Sequence, residues 1–432
     1  MRQDDPVENV NDRLKIVGTW SLGQQLHQWT RVWVHLPDHA AWTEQAGYTV
    51  NLGNGQTKTR HLPQRRYENS WVPLGVFLMD GSPSVSLSNK GLVDRGANTD
   101  DVAWDAVGFQ PLSAKPADFV VGLGDSFSSG EGAGDYSAWS DHDGDDNDIR
   151  NACHQSKDAW VRKLSLPSGG SPTIGSREAS NASSLDFHFL ACSGAETEHL
   201  LPFHTSGPTF PVNGKNELGV GQWGLVSQLD AGYLDENTTL VTLSIGGNDL
   251  RFGDIVFGCL MNGDCSNNVL ANDSQGMYAA SMSRLETELP SSLATVLEQI
   301  KLKAPNAKIL LVGYPRLFDA GTACMLVSME NQAWLNAVSD ELTQVMSEAA
   351  SAADQPGQRV VFVDPQPAFQ GRTLCTVNSG FWAVQPVVTP GDPPWGIWDG
   401  QTTASAESGH PNDAGTVLYS VAVQAALNGI YP

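Results

Sequence analysis

Four short motifs, far apart in a 432-residue chain, carry the residue types that acyl transfer needs. Ser126 lies in Gly124-Asp125-Ser126, Gly194 in Cys192-Ser193-Gly194-Ala195, Asn248 in Gly246-Gly247-Asn248-Asp249, and His410 opens His410-Pro411-Asn412. A serine hydroxyl is a weak nucleophile until an imidazole accepts its proton, so Ser126 and His410 make a nucleophile and its base. The oxyanion formed on attack needs preorganised donors. The backbone N–H groups of Ser126 and Gly194 and the carboxamide of Asn248 make three. Gly-Asp-Ser alone is an ordinary turn, and so is Gly-Gly-Asn-Asp; all four in order form a constellation. Asp125 and Asp249 are expected to hold their turns by hydrogen bonds rather than to act as bases. His142, His154, His188, His199 and His204 have no comparable setting and read as surface or structural residues. No Gly-x-Ser-x-Gly elbow and no His-Glu-x-x-His zinc motif is present, which argues against an ordinary α/β-hydrolase and a zinc hydrolase.

Such groups need strands that end beside one another. Apolar runs at Asp118 to Gly124, Asp186 to Ala191, Thr239 to Ile245, Lys308 to Tyr314 and Arg359 to Asp364 read as buried strands. They alternate with helical patterns at Ser283 to Lys303, Glu330 to Ala353 and Asp413 to Asn428, the last announced by a cap at Pro411-Asn412. Strands alternating with long helices predict a parallel sheet covered on both faces. Reactive loops in such a sheet gather at the carboxyl ends of the strands, where the motifs fall.

The first part of the chain follows another grammar. Trp29 to Leu36, Gly47 to Leu52, Ser70 to Leu78, Ser84 to Leu87 and Val102 to Phe109 are short alternating or aromatic runs broken by turns such as Gly53-Asn54-Gly55. This predicts an antiparallel β-sandwich. The linker-like Pro111 to Pro116 divides the chain into an accessory domain over 1–112, a connection over 113–117 and an α/β domain over 118–432.

Composition narrows the partners. Lys+Arg 25 against Asp+Glu 48 gives a net charge of −23, and a phosphate backbone would be repelled, so no nucleic-acid partner is expected. Residues 1–116 hold 11 basic and 12 acidic residues, so the excess lies almost wholly in the second part. No run of eighteen apolar residues predicts a transmembrane helix. All six cysteines, Cys153, Cys192, Cys259, Cys265, Cys324 and Cys375, follow residue 150 and none forms a CxxC pair. An even count favours disulfides over a zinc site and hence an oxidising compartment; fifteen pairings are open. The opening Met1-Arg2-Gln3-Asp4-Asp5 has no signal-peptide character, so a secreted protein would have lost its export signal. Asp141 to Asp148 packs five aspartates into eight residues. Asp141, Asp143 and Asp145 are weak Ca²⁺ candidates, but the order is not that of an EF-hand, and a hydrated acidic loop is the expectation. No metal and no cofactor is called for.

GDSFSSGEG at Gly124 to Gly132, the Gly194 loop, GGND and HPN resemble, in order and strand-end placement, the four blocks of the SGNH (GDSL-type) hydrolases. The resemblance runs from about Asp118 to Asn428 and is nearest to the secreted bacterial GDSL lipases and esterases. It implies a flavodoxin-like three-layer sandwich, Ser126 as nucleophile, His410 as base, and Ser126, Gly194 and Asn248 as the oxyanion hole. It also implies the pairs Cys153–Cys192, Cys259–Cys265 and Cys324–Cys375. The family often places an aspartate three residues before the histidine. Glu407 stands there and is expected to orient the imidazole, by its carboxylate or its carbonyl.

The expected function is a secreted ester hydrolase, an esterase or lipase. Gly, Ser and Asp around the site do not announce a long apolar acyl tunnel. The amino-terminal region resembles, more faintly, the golvesin or xanthan-lyase type of carbohydrate-binding β-sandwich, carried by VWVHLP, SWVPLGVFLM and VAWDAVGFQP. Trp29, Trp33, Trp42 and Trp71 are then either a sugar-stacking platform or sandwich core, and core is preferred for at least two. This keeps two alternatives: a carbohydrate-ester or phospholipid esterase targeted by that domain, and a polysaccharide-binding protein without turnover.

Overall fold

The computed structural model describes residues 15–39, 41–91, 101–142, 151–202, 221–259, 263–324, 327–355, 359–382 and 406–431. Its amino-terminal strands are β1 (Val17–Ser21), β2 (Trp29–Leu36), β3 (Ala46–Asn51), β4 (Thr57–Leu62), β5 (Ser70–Leu78), β6 (Ser84–Ser88) and β7 (Val107–Pro111). They form two antiparallel sheets, β1-β6-β3-β4 and β5-β2-β7. Period-two burial explains the pairing: Tyr48 and Val50 of β3, Val85 and Leu87 of β6, and Val32, Val34 and Leu36 of β2 are buried in one core, with polar neighbours outward. Two expectations shift. Val102–Ala106 is not strand and β7 starts at Val107; β4, with the sequence TKTRHL, is a strand whose polarity hid it.

The second set is β8 (Asp118–Gly124), β9 (Leu185–Phe189), β10 (Leu240–Ser244), β11 (Lys308–Val312) and β12 (Val360–Val363), in the order β12-β11-β10-β8-β9 and parallel throughout. The helices are α1 (Ser126–Ser129), α2 (Ile174–Ala179), α3 (Thr197–Leu200), α4 (Phe252–Gly258), α5 (Met277–Thr287), α6 (Leu289–Lys303), α7 (Met329–Ala353), α8 (Gln366–Phe369) and α9 (Asp413–Ile430). One group packs α5, α6 and α7 together with α3; the other packs α8 and α9 with the turn at Trp160–Lys163, on which α2 also lies. The fold is α/β, a parallel sheet between helical layers. The helix expected over Ser283 to Lys303 is two, α5 and α6, divided at Glu288 with Pro290 in the first turn of α6.

Chain order in this sheet reverses between β8 and β10, which places a crevice beyond their carboxyl ends. The two parts of the molecule meet through buried polar bonds. Arg31, 4% exposed, donates to the carbonyls of Asn181 (2.9 Å), Ala182 (2.9 Å) and Leu185 (2.6 Å). Asp186 accepts the Val76 N–H at 2.9 Å, and Arg60 bonds Asp235 at 3.0 Å and the Gly232 carbonyl. Leu112 and Phe119, on either side of the connection, pack with Val76 in one small apolar cluster.

Candidate active site

Ser126 is placed by a turn that a side chain at Gly124 would forbid. Gly124 has φ +119°, and a Cβ there would overlap the Ser244 carbonyl. The chain reverses at once into α1, capped by Asp125, whose carboxylate accepts the Phe127 N–H at 3.1 Å. Asp125 also takes the hydroxyl proton of Tyr314, whose oxygen accepts the Gly247 N–H at 3.0 Å. One buried carboxyl thus ties the nucleophile turn to the Gly246–Asp249 turn. Burial pushes the Asp125 carboxyl up to about 7.

Gly194 follows β9 with φ +80°. Its loop is pinned by the Cys153–Cys192 disulfide and by the Ser193 N–H on the Cys153 carbonyl at 3.0 Å. The other pairs are Cys259–Cys265 and Cys324–Cys375. Asn248 follows β10, and its Nδ2 donates to the Ala195 carbonyl at 2.9 Å, which fixes the carboxamide beside the Gly194 loop. Asp249 accepts from the N–H and hydroxyl of Thr197, so it holds the start of α3 rather than Asn248 itself. Among the described residues, the N–H groups of Ser126 and Gly194 serve no other protein acceptor.

His410 stands before α9, whose cap is Asn412, its side chain accepting the Gly415 N–H at 3.0 Å. His410 Nε2 lies 2.8 Å from Ser126 Oγ, and Nδ1 lies 2.8 Å from the Ala406 carbonyl. A carbonyl only accepts, so Nδ1 carries the proton and Nε2 is left to take one from Ser126. Desolvation lowers the ring's pKa below the usual 6.5 against the opposing charge of Glu131 and the Ala406 bond, which leaves a neutral base at neutral pH.

Glu407 is not the group on that ring nitrogen. Its carboxylate accepts the Tyr136 hydroxyl at 2.8 Å, and its carbonyl accepts the His410 backbone N–H at 3.0 Å. The acceptor one residue earlier, Ala406 O, replaces it because the 406–409 turn brings that carbonyl under the imidazole. Glu407→Gln keeps an acceptor for Tyr136, so kcat/KM should stay within a few-fold of wild type. A loss nearer the 10⁴-fold of a lost triad carboxylate would restore Glu407 to the ring.

Beside Ser126 opens a cleft lined among others by Phe252, Val256, Phe257, Tyr314, Leu317 and Leu342. This corrects the expectation of an unannounced acyl site: the wall is apolar. Its residues come from α4, the loop after β11 and α7, and only their separation in sequence hid them. Asp143 and Asp145 of the acidic run lie outside the described residues, and Asp141 is 3.6 Å from His154 Nε2. Among the described residues, no group of three or more His, Cys, Asp or Glu is arranged to hold a metal, and no helix is long and apolar enough to cross a membrane.

The profile of the GDSL-like lipase/acylhydrolase family matches residues 123–417. The chain belongs to this family. Lipase 1 of Streptomyces coelicolor is 30% identical over 267 residues, 62% of this chain and 76% of the relative. A lipase of Streptomyces rimosus is 29% identical over 257 residues, 59% of this chain and 73% of its own. Among solved structures, an extracellular lipase from Streptomyces rimosus aligns with 24% identity and a TM-score of 0.48, covering 73% of this chain and all of the other. This GDSL hydrolase is therefore a carboxylic ester hydrolase, and the family match lies within the α/β part.

Proposed function

We propose that the hydrolase cleaves esters of apolar acyl chains through an acyl-enzyme on Ser126. The observation that carries this is the 2.8 Å contact between Ser126 Oγ and a His410 held in the accepting tautomer, at the mouth of an apolar cleft. Ser126 attacks the ester carbonyl while His410 Nε2 takes its proton. The oxyanion settles on the Ser126 and Gly194 N–H groups and Asn248. His410 then protonates the departing alcohol, and water activated by the same ring releases the acid. The acyl chain lies against Phe252, Val256 and Leu342, side chains that offer the hydroxyls of a sugar no hydrogen-bond partner. The lipase relatives support the same class of substrate. The test is hydrolysis of p-nitrophenyl esters from acetate to palmitate, in wild type and Val256→Trp. Activity should rise from acetate toward longer chains, and the tryptophan should abolish that rise while sparing acetate. A profile falling steadily from acetate and unmoved by the substitution would show that the cleft does not hold the acyl group.

Three disulfides support work in an oxidising, extracellular setting. The change from antiparallel to parallel strands near 113–117 supports two domains with boundaries at 112 and 118. A polysaccharide contact on the first of them is favoured by Trp71, 52% exposed on β5 with its ring edge-on to His35 at 5.2 Å. Trp42 is also exposed, whereas Trp29 and Trp33 are half-buried. Retention of the full chain on insoluble cellulose or xylan should fall several-fold in Trp71→Ala. Equal retention of both proteins, or of neither, would remove this reading.

A further inference from the structure

The imidazole of His410 becomes a cation when it takes the serine proton, and its other nitrogen rests on a neutral carbonyl. In a triad a carboxylate at that nitrogen supports the cation. Here the support must come from elsewhere, and one buried carboxylate in the site has no role in the chemistry described above. Glu131, in the segment that begins with the nucleophile, is 0% exposed. Its N–H closes the turn on the Ser126 carbonyl at 3.1 Å, and its Oε2 lies 2.5 Å from His154 Nδ1. The next residue, Gly132, touches the histidine directly. A Cβ on Gly132 would stand 3.1 Å from His410 Cβ, and its carbonyl takes the Trp382 indole N–H at 2.5 Å.

His154 is itself built in. It is 2% exposed, its N–H bonds the Ser140 carbonyl at 2.8 Å, and its ring stacks on Tyr136 at 4.7 Å. Cys153 beside it is bonded to Cys192, two residues before Gly194. Burial would push the Glu131 carboxyl up, but the charge and hydrogen bond of His154 outweigh it and hold it below the usual range. It is a carboxylate at any pH where the enzyme would work. Burying a carboxylate is costly, which makes its retention here informative.

We propose that Glu131 is a positioning residue for acyl transfer: fixed on His154, its buried carboxylate supplies the negative charge that sustains His410 as an imidazolium. The inference rests on the reading of Ser126 and His410 given above. The titratable groups that face the pair are His410, His154, Tyr136 and, beyond Tyr136, Glu407; Asp141 faces the far nitrogen of His154. Asp125, the other buried carboxyl of the segment, is engaged by Tyr314. Glu131 favours the protonated form of His410, and His154 keeps Glu131 charged against burial, so loss of either removes that support.

The experiment is the pH dependence of kcat/KM for p-nitrophenyl butyrate with the full chain, for wild type, Glu131→Gln, His154→Gln and Ser126→Ala, with the melting temperature of each. Glu131→Gln should move the acid limb to lower pH and lower kcat about tenfold for each unit of that movement. His154→Gln should move the limb the same way, because Glu131 then loses the partner that keeps it charged. A merely structural role would lower the melting temperature and leave the limb in place. If Glu131→Gln does not fold, the His154→Gln limb decides alone. Limbs that do not move, or that move to higher pH, overturn the proposal while leaving the reading of Ser126 standing. Full activity in Ser126→Ala overturns both.

Discussion

Ser126→Ala is expected to lower kcat on p-nitrophenyl butyrate by about 10⁴- to 10⁶-fold, with little change in KM or melting temperature. The hydroxyl is the group that bonds carbon in the proposed step, and among the described residues no other side chain stands in its place against His410 Nε2. Its removal should not disturb the fold. The turn is held by Asp125 on Phe127, by Tyr314 on Asp125, and by the Ser128 hydroxyl accepting the Ser244 N–H at 2.7 Å. The alanine protein should therefore melt with wild type and still bind substrate, and burst-phase release of nitrophenol should vanish from it. Comparable turnover in both proteins would show that the cleft's chemistry runs through another atom.

The second large effect belongs to Asn248. Its carboxamide has two N–H bonds; one is committed to the Ala195 carbonyl, and the other is free to meet an oxyanion. The first bond fixes the second, so the donor is preorganised and costs no reorientation as charge develops. Asn248→Ala should lower kcat by on the order of 10²- to 10³-fold while KM stays within a few-fold, since the interaction is made in the transition state and not in the ground state. A matching rise in KM with unchanged kcat would mean that Asn248 binds substrate instead.

The four motif residues were legible because their side-chain or backbone chemistry is fixed by residue type and because strand ends gather in a parallel sheet. The ring's second partner was not legible. A backbone carbonyl such as Ala406 O carries no residue signature, and Glu407 occupied the position where a carboxylate would have been read. The apolar cleft was hidden for a different reason: Val256, Leu317 and Leu342 lie in three segments that only tertiary packing brings to one wall. His154 read as a surface or structural residue; the structure makes it structural, tied to Glu131 twenty-three positions away, and that pairing carries no motif. In the amino-terminal part, alternation located β2, β3, β5 and β6. It missed β4, whose Arg60 points inward to meet Gly232 and Asp235 of the other half.

That last contact, with Arg31 and Asp186, bears on how the molecule comes apart. Backbone carbonyls at 181, 182 and 185 find their donors in a guanidinium 150 or more residues earlier in the chain. Separating the halves would leave the Arg31 guanidinium and the Val76 N–H on one face and those carbonyls with the Asp186 carboxylate on the other, at a net of about 0.5–1.5 kcal/mol for each hydrogen bond exchanged for water. Neither half can loosen without charging the other for the loss. The hydrolase should accordingly melt in a single cooperative step, and shuffling its catalytic half onto a foreign partner would need the complementary face to travel with it.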